Sequence, residues 1–126
     1  MRIAFQGTEG AYSEEALLRN FPGSTPMGFP TFHQVFEAVE TGEAQLGVVP
    51  VENTTAGSIN QTYDLLLESD LHVVGEIIHR VEHCLLAPKG TELKDLKAVK
   101  SHPQALAQCD GFLARLRLTP IPVFDT

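Results

Sequence analysis

The chain has 126 residues, 43% of them hydrophobic, and its 16 Asp and Glu against 9 Lys and Arg give a formal net charge of −7. That length supports a real core in one compact domain or two small lobes, and an acidic balance without a Lys/Arg cluster argues against nucleic acid or anionic membrane as a partner. Cys84 and Cys109 are too few and too far apart for a disulfide framework or a Cys-x-x-Cys site, so both are expected as small core residues.

The chain opens directly on a strand pattern, Arg2 to Gln6, without a charged leader, and no apolar run approaches the ~18 residues that cross a bilayer, so a cytoplasmic location is expected. Gly7-Thr8-Glu9-Gly10 turns into a helix from Ser13 to Phe21, with Glu14 and Glu15 early and Arg19 late to match the helix dipole. Gly7 and Gly10 suggest a phosphate loop, but the remaining glycine and the Lys-Ser/Thr ending are missing.

A second strand is expected over Ser24 to Phe29. Thr31 then opens a helix with Gln34 in capping-box spacing, a stripe of Phe32, Val35, Phe36 and Val39, and Gly42 at its end; His33 falls off the stripe. The third strand, Ala44 to Val51, runs into Pro50-Val51-Glu52-Asn53-Thr54. Ser58 and Gln61 are then expected to cap a helix to about Ser69 that buries Ile59, Tyr63, Leu66 and Leu67. The order β-α-β-α-β-α predicts a parallel sheet with right-handed crossovers.

In such sheets, loops at the carboxyl ends of strands line the ligand crevice, which draws attention to Glu52, Asn53 and Thr54. The free amides of the following helix could hold a carboxylate; equally, Glu52 and Asn53 could only organise a turn and Ser58 only cap. Leu71 to Ala87 is a longer extended run than one strand, expected to bend between lobes. His79 and His83 share one face of it, but no fourth ligand completes a metal site.

Pro88 to Thr91 reads as a turn, Glu92 to Leu96 as one helical turn and Ala98 to Lys100 as a strand. Ser101 is expected as the N-cap of a helix carrying Pro103 in its first turn, Gln104 in capping-box spacing, and a core stripe of Ala105, Leu106, Cys109, Phe112, Leu113 and Leu116. Gln104 and Gln108, at i and i+4, lie on another face, either as readers of an anion or hydroxyl or as an ordinary solvated surface. Leu118 to Phe124 is a last strand, and Asp125-Thr126 would start another turn, so the chain is expected to be truncated.

The stretches Pro50 to Thr54 with Gly57-Ser58-Ile59, and Ser101-His102-Pro103-Gln104-Ala105-Leu106-Ala107-Gln108, resemble the two loop motifs of prephenate dehydratases. Weaker similarity runs through Phe5 to Ser13 and from Gly75-Glu76 to His83-Cys84-Leu85-Leu86. The resemblance implies an α/β, two-lobed domain like a type II periplasmic binding protein, with mostly parallel sheets, flanking helices and substrate in the interlobe cleft. Residues 1–76 would be the first lobe and 77–126 part of the second, with the rest of the catalytic domain and a regulatory domain absent.

It further implies a lyase that converts prephenate to phenylpyruvate with loss of water and carbon dioxide in phenylalanine biosynthesis. Glu52 and Asn53 would be catalytic, and Thr54, Gly57, Ser58, Ser101, His102, Gln104, Ala105 and Gln108 substrate-binding. No cofactor and no metal are implied, no nucleic acid or membrane partner, and a homo-oligomer, dimer or tetramer, for the full-length protein. Thr54 stands where the family has Ser and keeps the hydroxyl. The family's Thr-Arg-Phe motif is nowhere in the sequence, so this chain alone is expected to be inactive. A rival expectation is a non-catalytic lobe of the same architecture that binds a small anion or an amino acid.

Overall fold

The computed structural model describes residues 1–54 and 57–123, and the chain divides into two compact units, Met1–Val81 and Glu82–Thr126. In the first, strands β1 (Arg2–Gln6), β2 (Thr25–Phe29) and β3 (Leu46–Val48) form a parallel sheet in the order β2-β1-β3. β1 is central, and the two-residue alternation of its side chains builds a core on each face. Ile3 and Phe5 pack with Leu17 of helix α1 (Tyr12–Asn20). Ala4 turns the other way, onto Val35 and Ala38 of helix α2 (Phe32–Glu40) and onto Ala44. Each of Ile3, Phe5 and Leu17 is at most 2% exposed, and burial of a side chain that size contributes about 1.5–3 kcal/mol.

Local chemistry sets the helix ends. Glu14 Oε2 accepts the N–H of Gly10 at 2.6 Å, and Glu15 pairs with Arg19 at 2.6 Å along α1. Thr31 Oγ1 accepts the Gln34 N–H at 3.3 Å, as its spacing predicts. Gly42, at φ 77°, ends α2. Val35 and Phe36 of the expected stripe are buried, Phe32 and Val39 half-buried, and His33 is exposed. β3 is shorter than the expected Ala44 to Val51: the Ala44 N–H turns back to Ala38 O at 2.8 Å, and Pro50 has no N–H for the ladder.

β2 carries Pro26 on its outer side. The N–H of Thr25 bonds Met1 O at 2.9 Å, so residues 25, 27 and 29 face β1 and 26 and 28 face away, where a missing donor costs nothing. Gly28 sits against backbone: a Cβ built there would meet Gly7 O at 2.6 Å, in a place where Gly7 N–H also bonds Phe29 O at 2.9 Å.

The second unit pairs strands β6 (Ala98–Ser101) and β7 (Thr119–Pro122) in parallel, joined by helices α4 (Pro103–Gln108) and α5 (Asp110–Arg115). Leu106, Leu113 and Leu118 are its core, with Leu85, Leu96, Val99, Cys109 and Leu116 against them. The single helix expected from Ser101 to Leu116 is two, because Cys109 sits at φ −100°, ψ 4° and serves as C-cap of one and N-cap of the next. The break rotates the apolar stripe, and Phe112, expected in the core, is 43% exposed with the Arg115 guanidinium 5.9 Å from its ring centroid.

Cys84, also expected in the core, is exposed, whereas Cys109 is half-buried. The turn at Pro88 forms, with the Thr91 N–H on Pro88 O at 3.1 Å, and a 3₁₀ turn follows at Leu93–Asp95. Between Leu71 and Ala87 neither strand nor helix forms. The end of the expected last strand at Phe124 and the Asp125-Thr126 turn lie outside the described residues. Among the described residues, no helix is long and apolar enough to cross a membrane.

α5 ends in a Schellman motif: the Leu118 N–H bonds Leu113 O at 3.0 Å and the Arg117 N–H bonds Ala114 O at 3.1 Å. Arg117 takes the left-handed position, φ 56°, that favours glycine. Replacing Arg117 by Gly should raise stability by about 1 kcal/mol, read as a higher urea midpoint with unchanged slope. Gly28→Ala should do the reverse, costing about 1–3 kcal/mol in the same measurement, because the atom it contacts is a carbonyl oxygen that cannot swing aside.

Candidate active site

The stretch that leaves β3 folds back on itself. Strands β4 (Glu52–Asn53) and β5 (Gly57–Ser58) form an antiparallel hairpin with Glu52 opposite Ser58 and Asn53 opposite Gly57. Its tip contains Thr54, an exposed turn residue, followed by Thr55 and Ala56, which lie outside the described residues. Gly57 supplies the left-handed φ of 80° on the return.

The hairpin overturns one expectation. Ser58 does not cap a helix; it belongs to β5, and the N–H that follows it, on Ile59, bonds Val51 O at 2.9 Å. Helix α3 (Asn60–Glu68) begins after it, with Ile59 at the N-cap position and no side chain bonded there. The Ser-x-x-Gln spacing is present, but the ladder claims the serine first. What the hairpin does is bring Glu52 and Ser58 together as cross-strand neighbours, about 5 Å apart at Cβ as directly opposed pairs are. A carboxylate beside a hydroxyl can accept and donate to one polar ligand. Asn53, next in the strand, projects from the other face and is half-buried.

Thr62 holds the hairpin's base. It is fully buried in the first turn of α3, and its Oγ1 donates to Pro50 O at 2.8 Å. The expected buried face of this helix, with Tyr63 and Leu67, is rotated: these two are 43% and 85% exposed, and Thr62 takes the inward position. A signal was available in the i, i+3, i+7 line of Ile59, Thr62 and Leu66, which a purely apolar reading passes over because threonine is polar.

The second motif, in the other unit, also begins in a strand. Ser101 is the last residue of β6 and half-buried, its carbonyl accepting the Val123 N–H at 2.9 Å. The cap of α4 is therefore His102, whose Nδ1 accepts the Gln104 N–H at 3.2 Å. With its Nδ1 lone pair so used, the His102 ring carries its proton on Nε2. Pro103 occupies the first helical position, as expected. Ala105 is buried, while Gln104 is exposed and Gln108, one turn on, half-buried. The six residues of α4 make it too short for the helix-end charge that a longer helix would offer to an anion. The polar groups here are side chains: Ser101, Gln104 and Gln108.

Two histidines of the extended stretch, His79 and His83, have separate partners. His79 Nε2 lies 3.3 Å from Glu15 Oε2, with Tyr12 stacked at a tilt 6.2 Å from its ring. His83 Nε2 lies 2.6 Å from Gln108 Oε1. A shallow depression of about 450 Å³ along α1, lined by Gly10, Ala11, Glu14, Glu15, Leu18 and Arg19, holds no residue of the Pro50 to Ile59 or Ser101 to Gln108 stretches.

Comparison with known proteins gives a consistent match. The family model for prephenate dehydratase covers residues 3–126. A relative from Arabidopsis thaliana, arogenate dehydratase/prephenate dehydratase 2, chloroplastic, is 47% identical over 126 residues, which is all of this chain and 33% of that protein. The solved structure of GqqA, described as a novel type of quorum quenching acylase, superposes with a TM-score of 0.90 at 43% identity, covering all of this chain and 46% of that one. The prephenate dehydratase from Arthrobacter aurescens, solved with L-Phe, gives 0.80 at 26% identity over all of this chain and 43% of that one. The chain thus spans about a third of the length of the curated relative it matches.

Thr62→Val keeps the shape of the side chain and removes its hydroxyl, leaving the Pro50 carbonyl without its donor. The expected cost is about 1–2 kcal/mol in chemical denaturation, and a loss below a few tenths would show that the bond does not hold the hairpin.

Proposed function

The chain belongs to the prephenate dehydratase family, and we propose that the protein carrying it is a prephenate dehydratase, a lyase that forms phenylpyruvate, water and carbon dioxide in phenylalanine biosynthesis. The observation that carries this reading is the presence, in order and in one family match, of the Pro50 to Thr54 and Ser101 to Gln108 motifs on two polar, ligand-ready segments. The balance of the reaction says what the residues must do. Prephenate is a dianion; one proton goes to the departing ring hydroxyl, which leaves as water, and the ring carboxylate leaves as carbon dioxide while its bonding electrons complete the aromatic ring. The chemistry is redox-neutral, so binding and one proton delivery are the tasks of the protein.

Ser101, His102, Gln104, Ala105 and Gln108 in the second unit are assigned to substrate binding, Ser101 at the end of β6, His102 at the cap of α4 and the other three on the helix. In the first, Asn53 and Glu52 are assigned to the reacting centre, Asn53 as a hydrogen-bond donor and Glu52 as the group that orients it or a water. Thr54, Gly57 and Ser58, on the same hairpin, are assigned to substrate binding. Glu52 is exposed in its unit, which favours the orienting role over that of a buried acid. A cytoplasmic location, no cofactor and a homo-oligomeric full-length protein belong to the same proposal.

The Arabidopsis relative, named for both arogenate and prephenate, favours assaying the two substrates in parallel. In the full protein, Asn53→Ala and Gln108→Ala should each lower kcat/KM by about ten-fold or more, the loss expected for a hydrogen bond to substrate, through kcat for Asn53 at the reacting centre and through KM for the binding group Gln108. Wild-type rates in both variants would remove the proposed site, and calorimetric binding of an amino acid without turnover of either substrate would favour a non-catalytic binding lobe instead.

A further inference from the structure

We propose that His83 is a positioning residue that locks the side-chain amide of Gln108 with its two N–H donors turned toward the ligand. The argument starts from one contact, His83 Nε2 to Gln108 Oε1 at 2.6 Å. A carbonyl oxygen has no hydrogen to give, so the proton in this bond sits on Nε2, and the imidazole donates whatever the state of its other nitrogen. That bond takes one of the two lone pairs of the glutamine oxygen and holds the oxygen toward His83, so the NH₂ group is the end of the amide turned away from it. Freed from His83, the amide could turn over and present its oxygen, which repels a carboxylate. Held by His83, it presents its donors, which suits a carboxylate or hydroxyl oxygen and disfavours a cationic group.

Both ends of the contact are anchored. Two residues after His83, Leu85 packs into the cluster of Leu106, Leu113 and Leu118, and Cys109, the residue after Gln108, packs into the same cluster. The stretch around His83 has no strand or helix of its own, and these anchors and the bond to Gln108 help to hold it. The break in the helix at Cys109 also matters, because it leaves Gln108 as the final residue of α4. This inference rests on Gln108 being a substrate-binding residue, as assigned above.

The test uses the full protein, prephenate as the probe, and four variants. His83→Phe removes the donor and keeps a ring; it should raise KM by about ten-fold with kcat changed less than about three-fold, since an orienting bond to a binding group acts on ground and transition states alike. His83→Gln, which restores an N–H donor of similar reach, should recover KM to within about three-fold of wild type. Gln108→Leu should show the full loss, and adding His83→Phe to it should cost less than about two-fold more, because the histidine then has nothing to orient. If Gln108→Leu lowers kcat/KM while His83→Phe does not, or if the two losses multiply in the double variant, the positioning role is overturned and the site assignment stands. If Gln108→Leu itself behaves as wild type, the site assignment fails, and the role of His83 with it.

Discussion

Burial of β1 on both faces is the constraint from which the first unit follows. A strand with a covering helix on each side must alternate its side chains between two cores, and Ile3, Ala4 and Phe5 do so with large residues toward α1 and a small one toward α2. The small residue is as important as the large ones. Ala4 lets the Val35 and Ala38 surface of α2 approach the sheet, and Gly47, where a Cβ would meet Val35 Cγ1 at 3.1 Å, extends that close packing onto β3. The strand ends are thereby fixed, and the segments that leave them start from defined positions.

From strand ends in each unit, polar residues are carried outward on short, individually tethered pieces of chain. The Glu52–Asn53 hairpin is tied at its base by the Thr62 hydroxyl on Pro50 O and by the Ile59 N–H on Val51 O. The Ser101 to Gln108 segment is tied by the His102 ring, by Ala105 and Leu106 in the core, and by the extended chain that His83 and Leu85 attach to it. In neither segment does a long helix point its end at a ligand. The polar groups are side chains held by neighbouring bonds, an arrangement in which the second layer of residues matters as much as the first.

Much of this was legible in the sequence, for identifiable reasons. The alternation of β1, the acid-to-base gradient of α1 and the Thr31 cap are local features, and local features survive folding. What was misread depended on competition between partners. Ser58 and Ser101 both sit three residues before a glutamine and both look like helix caps, yet each is taken by a β ladder, and a histidine caps in place of Ser101. The break at Cys109 follows a run that scores well as helix, and only the three-dimensional turn of Phe112 toward solvent reveals it. Thr62 was missed because a polar residue was not counted on the inward line it shares with Ile59 and Leu66, and its partner, the Pro50 carbonyl, lies twelve residues away. Motif similarity identified the candidate residues; it could not say which element each stands on.

The prolines of the outer strands have a consequence for how the molecule behaves in a crowded solution. On β7 the N–H groups of Thr119 and Val123 bond Lys97 O and Ser101 O, so Pro120 and Pro122 face the open side, as Pro26 does on β2. The rim of β7 displays carbonyls with no amide donor between them, whereas that of β2 keeps the Gly28 N–H beside its one proline. Two β7 rims brought together oppose oxygen to oxygen, and the lattice of hydrogen bonds that feeds fibril growth cannot propagate across them.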